Sequence, residues 1–369
     1  MGDAGGHQKY TSCEWIEGGL AFNRRSLHAC LIVHHGRGMP EFTEYNGGPL
    51  PLKEILEGRE RIRDQHKAGT INEACEGCAH LREDVWPELE YDFDMLGIAH
   101  YSHCNIKCNY CFLQTQDPAS FADGFRPYKI LDTVRTMYES GQIAPKSIVD
   151  WGGGEPTIYK EFDDIVEMSL DHGAYHYVHS NGVRFPKSLD GNPHTENVHI
   201  ICSIDAGTRS TYLYIKERDY LDDVWETLDR YIAIGCEVTV KYIVKEENAS
   251  REDIEPFLNR TAKGGIRNVL ADIDYDFPHP SDEVIDGLVL LRILGEELGL
   301  CVTFGFTGTN FAIENHHDNG LDARYNAARI ELLEKQLREK EAVIQDLVAN
   351  RSSVSPKRVA RAIRRKLEK

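Results

Sequence analysis

The sequence predicts an α/β protein built on a partial (β/α)6-type barrel, with a small irregular metal-binding module before it and a helical, coiled-coil tail after it. Three observations carry that reading. Strand-like apolar runs alternate with amphipathic helical segments from Met95 to Phe306, the pattern of a parallel sheet whose strands are joined by helices. Seven of the ten cysteines lie before residue 112. Beyond Leu321, aliphatic residues recur at heptad spacing among charges.

The elements follow in chain order. Residues 1–92 show little sustained periodicity, with glycine pairs at 18–19 and 47–48 and one short helix expected from Pro51 to Lys67. A core that thin would be held together by metal ligation. Strands are expected at Met95–His100, Ser147–Trp151, Tyr175–His179, Val198–Ile204, Val238–Val244, Val269–Ile273 and Val302–Phe306. Helices are expected between them at Ile130–Ser140, Phe162–His172, Asp222–Ile234, Arg251–Ala262 and Ser281–Leu298, with Ser281 and the Asp222–Asp223 pair as N-terminal signals. Six or seven such units suit a partial barrel over 93–310 better than a small open sheet.

In the tail, Ile330, Leu333, Leu337, Ile344 and Leu347 take a and d positions within 321–350, with Lys340 the one polar d. This predicts a short coiled coil or helical hairpin, through which the chain would associate with itself or a partner. A Ser-Pro-containing break at 352–356 follows. Residues 351–369 then end in a basic segment with Val359, Ile363 and Leu367 spaced by four. Its alternatives are contact with an anionic membrane surface or acidic partner, and a solvated charged tail.

Composition excludes several classes. The 369 residues are 41% hydrophobic and 28% charged, a soluble globular balance. No apolar run approaches the ~18 residues of a membrane span, and no secretory signal is visible, so a cytoplasmic location is expected, peripheral to the inner membrane at most. A net charge of -18 argues against a general nucleic-acid binder. In a reducing compartment, closely spaced cysteines ligate metal more often than they form disulfides.

The strongest signal is Cys104, Cys108 and Cys111, a C-x3-C-x2-C loop directly after the first barrel strand. Three thiolates hold three irons of a [4Fe–4S] cluster and leave the fourth open, as a catalytic metal requires. The alternative is a zinc site completed by His103 or a distant residue. With Tyr110 as the aromatic before the last cysteine, the loop resembles the hallmark of the radical S-adenosylmethionine (radical SAM) superfamily. Further features match in order: Gly153, Gly154, Glu155 and Pro156 after the second strand; Ser180 and Asn181 after the third; Ser203 and Asp205 after the fourth; then a loop and helix with Tyr212, Ile215, Val224 and Trp225. Each stands at the C-terminal end of a strand, where barrel enzymes place their chemistry.

The resemblance implies a radical SAM barrel. The glycine turn would hold the SAM amino group, Ser180, Asn181, Ser203 and Asp205 would contact its other groups, and Tyr110 would belong to the same site. SAM would chelate the open iron. One electron, from a donor such as flavodoxin or ferredoxin, would cleave it to methionine and a 5′-deoxyadenosyl radical that abstracts hydrogen from substrate.

Cys13, Cys30, Cys75 and Cys78 form a second set, C-x16-C-x44-C-x2-C. Four thiolates suffice for a second [4Fe–4S] cluster or for zinc. The set resembles the SPASM/twitch auxiliary-cluster modules of radical SAM enzymes. It departs from them in lying N-terminal and in having Arg25 where a glycine is expected. Cys202 and Cys236 alternate with apolar neighbours and are expected to pack on outer helices, and Cys301 lies at the wrong end of its strand for an active site. A cysteine hydrogen donor, which a radical epimerase often needs, is therefore not evident.

Inward strand positions Lys241, Lys245, Asp272, Asp274 and Asp276 are substrate candidates, with solvated strand ends as the alternative. The histidine pairs at 34–35 and 316–317 read as surface. Two substrate classes compete. One is a carbohydrate or nucleotide-linked sugar, oxidised, dehydrated or epimerised in a polysaccharide or natural-product pathway. The other is a peptide or protein side chain. A non-catalytic zinc-bound scaffold is the alternative from another class.

Overall fold

Leu96, Trp151, Val178, Ile200, Val240 and Val269 are fully buried and lie on successive strands of one sheet. The computed structural model describes residues 9–32, 38–45, 47–114, 130–274, 280–305 and 321–349. Phe306, Asp276, both histidine pairs and the basic tail lie outside them. The strands are β1 Lys9–Ser12, β2 Gly19–Asn23, β3 Ser26–His28, β4 Glu41–Glu44, β5 Arg82–Val85, β6 Phe93–Ala99, β7 Ile143–Trp151, β8 Tyr175–Ser180, β9 Val198–Ser203, β10 Glu237–Val244, β11 Asn268–Ile273 and β12 Cys301–Phe304.

Ten of these form a single sheet in the order β12-β11-β10-β9-β8-β7-β6-β2-β3-β4. From β6 to β12 every pairing is parallel, and helices fill the connections: Leu131–Glu139, Phe162–Asp171, Arg209–Lys216 with Leu221–Ala233, Arg251–Lys263 and Asp282–Glu297. This is the mixed α/β, parallel-strand architecture expected of the partial barrel.

Two faces follow from the alternation along each strand. One packs on the helices: Trp151 lies 4.7 Å from the Phe162 ring, and Tyr242 lies 4.7 Å from Phe257. Cys202 is fully buried on this face. A Cβ at Gly182 would meet both its sulfur and Val224 of the helix Leu221–Ala233, so Cys202 packs outward as its parity predicts. The opposite, inner face carries Asp150, Tyr177 and His199 in register with Gly97, and Ser203 in register with Lys241.

The irregular N-terminal stretch is largely part of this sheet. Strand β2 pairs parallel with β6, Leu20 beside Leu96 and Asn23 beside Ala99, and β3 and β4 extend it antiparallel. Ile16, Leu20, Ala21, Phe22 and Leu27 are fully buried. Strands of three to five residues are too short to declare a period, so sequence alternation does not reveal them. The helix expected from Pro51 runs Leu52–Lys67 with Pro51 as N-cap.

Residues 1–315 and 316–369 form two compact units. Within the second, Leu321–Ala349 is one helix on which Ile330, Leu333 and Leu337 are each more than half exposed. Among the described residues no helix is long and apolar enough to cross a membrane.

Candidate active site

Strand β6 delivers the cysteine loop to the C-terminal edge of the sheet, and the next three strand ends tie it down. After β7 the chain turns sharply. Gly152 N–H donates to Ile98 O (3.0 Å), Gly154 N–H to Tyr101 O (3.0 Å) and Glu155 N–H to His103 O (2.8 Å). Gly153 has φ of +82°, and a Cβ on Gly154 would stand 2.1 Å from His103 O. Glycine is required here by the backbone that carries the cysteines. Pro156 opens the short 3-10 turn that follows.

Glu155 is wholly buried and joins that turn to the end of β8. Its carboxylate accepts from Thr157 Oγ1 (2.6 Å), Thr157 N–H (3.2 Å), Ser180 Oγ (2.8 Å) and Asn181 N–H (2.7 Å). Burial pushes its pKa up, and those hydrogen bonds counteract the shift. Asn181 in turn donates to Asn105 Oδ1 at 2.6 Å and toward Cys104 Sγ at 3.7 Å.

Asp205, after β9, holds the other side of the loop. It is fully buried in the left-handed region, φ +59°, and receives Ile243 N–H at 2.7 Å, the Tyr110 hydroxyl and the Lys216 ammonium. Lys216 Nζ also donates to Tyr110 Oη at 2.9 Å. The helix ending at Lys216 meets the loop directly, Asn109 N–H donating to Ile215 O at 2.9 Å and Lys107 N–H to Lys216 O at 3.3 Å. Tyr110, Glu155, Ser180, Asn181 and Asp205 are thus brought together around the triplet, and Ser203 stands half-buried on the inner face.

The residues present fit an iron–sulfur cluster and its ligands. Burial raises the Cys104 thiol to about 11 and also raises Cys111. The Ile106 N–H at Cys104, and the Leu113 and Gln114 N–H groups at Cys111, work the other way by donating to sulfur. The hydroxyls of Tyr101 and Tyr212 are buried without a hydrogen-bond partner among the described residues. Tyr101 feels Glu155 most and Cys104 further down, and Tyr212 feels Lys216, then Cys202, then Cys108. A polar group of that kind implies an acceptor beside it.

Cys13, Cys30, Cys75 and Cys78 also converge, since Cys30 feels the other three and Cys75 feels Cys13 and Cys78. Burial is the largest cause of each upward shift, to about 11 for Cys13 and about 12 for Cys75. The donor pattern of the triplet recurs: Trp15 and Ile16 N–H at Cys13, Ile32 N–H at Cys30, His80 and Leu81 N–H at Cys78. Among the described residues no His, Cys, Asp or Glu trio stands as a ready ligand set for one metal ion. The set lies at the far end of the strands. Cys13 precedes β2 and Cys30 follows the reversed β3, whereas Cys104 follows β6. Leu31, beside Cys30, packs over Gly97 and approaches Gly152.

The substrate candidates pair with one another. Lys241 Nζ lies 2.9 Å from Asp272, and Lys245 Nζ lies 3.1 Å from Asp274 and 3.4 Å from Asn109 of the cysteine loop. On the same inner face His179 is 3.4 Å from Asp150, and His199 Nε2 is 2.8 Å from Thr239 Oγ1. Asp150, His179 and His199 are not among the candidates expected from the sequence. Only His199 shares a strand and its parity with Ser203, and the other two join this face through the register of β7, β8 and β9. Lys216 had no local signal at all. Cys236 is buried, and Cys301 is exposed at the start of β12.

Residues 98–260 match the sequence profile of the Radical SAM superfamily. GTP 3′,8-cyclase of Pasteurella multocida (strain Pm70) is 27% identical over 157 residues, 42% of this chain and 46% of that protein. Neomycin C epimerase of Streptomyces fradiae is 25% identical over 193 residues, 48% and 59% respectively. The chain thus spans about half the length of the curated relatives it matches. Among solved structures, Streptococcus suis SuiB bound to its precursor peptide SuiA aligns with a TM-score of 0.45 and 14% identity over 72% of this chain and 57% of that one. Native anSMEcpe with bound AdoMet aligns at 0.44 and 14%, over 55% and 62%. Over residues 98–260, somewhat under half of its length, the chain is thus similar to the domain shared by the Radical SAM superfamily.

Proposed function

We propose that the protein uses a [4Fe–4S] cluster on Cys104, Cys108 and Cys111, together with SAM, to abstract hydrogen from a polar, hydroxylated small molecule, a carbohydrate or a nucleotide-linked sugar. The observation that carries this is the triplet loop itself, fastened from three successive strand ends by Glu155, Asn181 and Asp205. When bound, cluster and SAM supply a carbon radical that takes a hydrogen atom from a C–H bond. This chain's residues do the rest. Glu155 fixes the glycine turn against the loop, and Lys245 reaches Asn109 of the loop from the end of β10. Asp150, His179, His199, Lys241 and Asp272 offer donors and acceptors to a substrate on the inner face.

That face supports a hydroxylated substrate because half-buried charged pairs can exchange partners with hydroxyl or phosphate groups. The named relatives agree in class, one acting on GTP and the other on neomycin C. The N-terminal thiols are read as the ligands of a second cluster, with zinc as the alternative metal. In either case they clasp β2 and β3 to the segment after the helix Leu52–Lys67. Reduced, SAM-supplied protein should form 5′-deoxyadenosine, and Cys104→Ala should lower that to background. Undiminished 5′-deoxyadenosine from Cys104→Ala would refute the assignment.

A further inference from the structure

Resting on that reading, we propose that Lys216 and Tyr212, one turn apart on the helix Arg209–Lys216, set the reduction potential of the cluster on the triplet. Lys216 acts by its charge, and Tyr212 by a hydroxyl hydrogen bond to a cluster sulfur. The C-terminal carbonyls of that helix face the cysteine loop and accept the Asn109 and Lys107 N–H groups. A helix C-terminus carries partial negative charge, an adverse neighbour for a thiolate-bound cluster that must accept a further electron. Lys216 sits in that last turn and brings a full positive charge.

Lys216 is completely buried. Burial pulls its ammonium pKa down, but Asp205 and then Cys108 more than offset this and hold it above the ordinary lysine range. Lys216 pairs with Asp205, and the Tyr110 hydroxyl joins both groups to the cysteine loop. The Tyr110 hydroxyl bonds to Asp205, receives Lys216, and lies within hydrogen-bonding reach of Cys108. One turn back, the Tyr212 hydroxyl is fully buried, has no hydrogen-bond partner among the described residues, and feels Lys216 first, then Cys202 of β9 and Cys108 of the triplet. Positive charge and hydrogen bonds to sulfur both stabilise the reduced cluster.

The test is potentiometric, with dithionite as the one-electron donor. Wild type, Lys216→Gln, Lys216→Arg and Tyr212→Phe are reconstituted anaerobically and assayed for iron and sulfide. They are then titrated without SAM while the reduced cluster is followed by electron paramagnetic resonance. Lys216→Gln should shift the equilibrium at least tenfold toward the oxidised cluster, about 59 mV for one electron. Tyr212→Phe should move it several-fold the same way, and Lys216→Arg should stay near wild type. Iron-loaded variants sharing the wild-type midpoint would overturn this inference alone. Should Lys216→Gln fail to hold iron, a loaded Tyr212→Phe at the wild-type midpoint overturns it equally. An iron-free wild type would overturn the cluster reading and this inference with it.

Discussion

Glu155 is the residue on which the SAM side of the site turns. It accepts a backbone N–H at each carboxylate oxygen, from Thr157 and from Asn181, and neither donor can reverse, so an amide NH2 on either side would face another N–H. Glu155→Gln should therefore destabilise the fold by about 1–3 kcal/mol and lower 5′-deoxyadenosine formation at least tenfold, as urea melts and product assay would measure. Full activity with unchanged stability would contradict the assigned geometry. Glu155 and the three cysteines were legible because their roles are written in contiguous residues. Lys216 and Tyr212 were not. Tyr212 matched the resemblance without a role, and Lys216 acquires one only when its helix docks on a loop more than a hundred residues earlier.

At the scale of elements, sequence alternation placed the central strands well because each is long and buried on its helix-facing side. His176 of β8 shows how that face is fastened. It is fully buried, accepts from Trp151 Nε1 at 3.0 Å and pairs with Ser169 Oγ at 2.9 Å, and burial lowers its pKa from 6.5 to about 3. The unfolded chain takes up a proton near pH 6.5 that the folded one refuses. Stability from the neutral ring is thus present above pH 6.5 and lost, at about 1.4 kcal/mol per unit, as pH falls toward 3. Wild type should lose about 2 kcal/mol more than His176→Gln between pH 6.5 and 5 in urea titrations. Equal slopes would place the ring in water. The element sequence analysis did not foresee is the β2–β3–β4 extension, whose few residues per strand give no period and whose pairing is with β6, some seventy residues away.

For the whole molecule, the two cysteine sets mark opposite ends of the β2–β6 pair, and the polar inner face lies between. Burial raises the thiols of Cys13, Cys30, Cys75, Cys78, Cys104 and Cys111, so metal loading must release protons and should strengthen as pH rises. Cys75→Ala should lower the melting temperature and remove only the N-terminal metal, leaving 5′-deoxyadenosine formation from the triplet in place. The spacing of the triplet was readable because one loop carries all three ligands. The convergence of Cys13, Cys30, Cys75 and Cys78 depends on a strand reversal and a helix that spacing cannot convey.

The measurement that bears most directly on the central claim is iron, acid-labile sulfide and zinc per chain after anaerobic reconstitution, with wild type beside the Cys104→Ala/Cys108→Ala/Cys111→Ala variant. Two clusters predict about eight irons in wild type and about four in the variant, the difference being the cluster on the triplet. Zinc without iron in wild type, or iron undiminished in the variant, would contradict it.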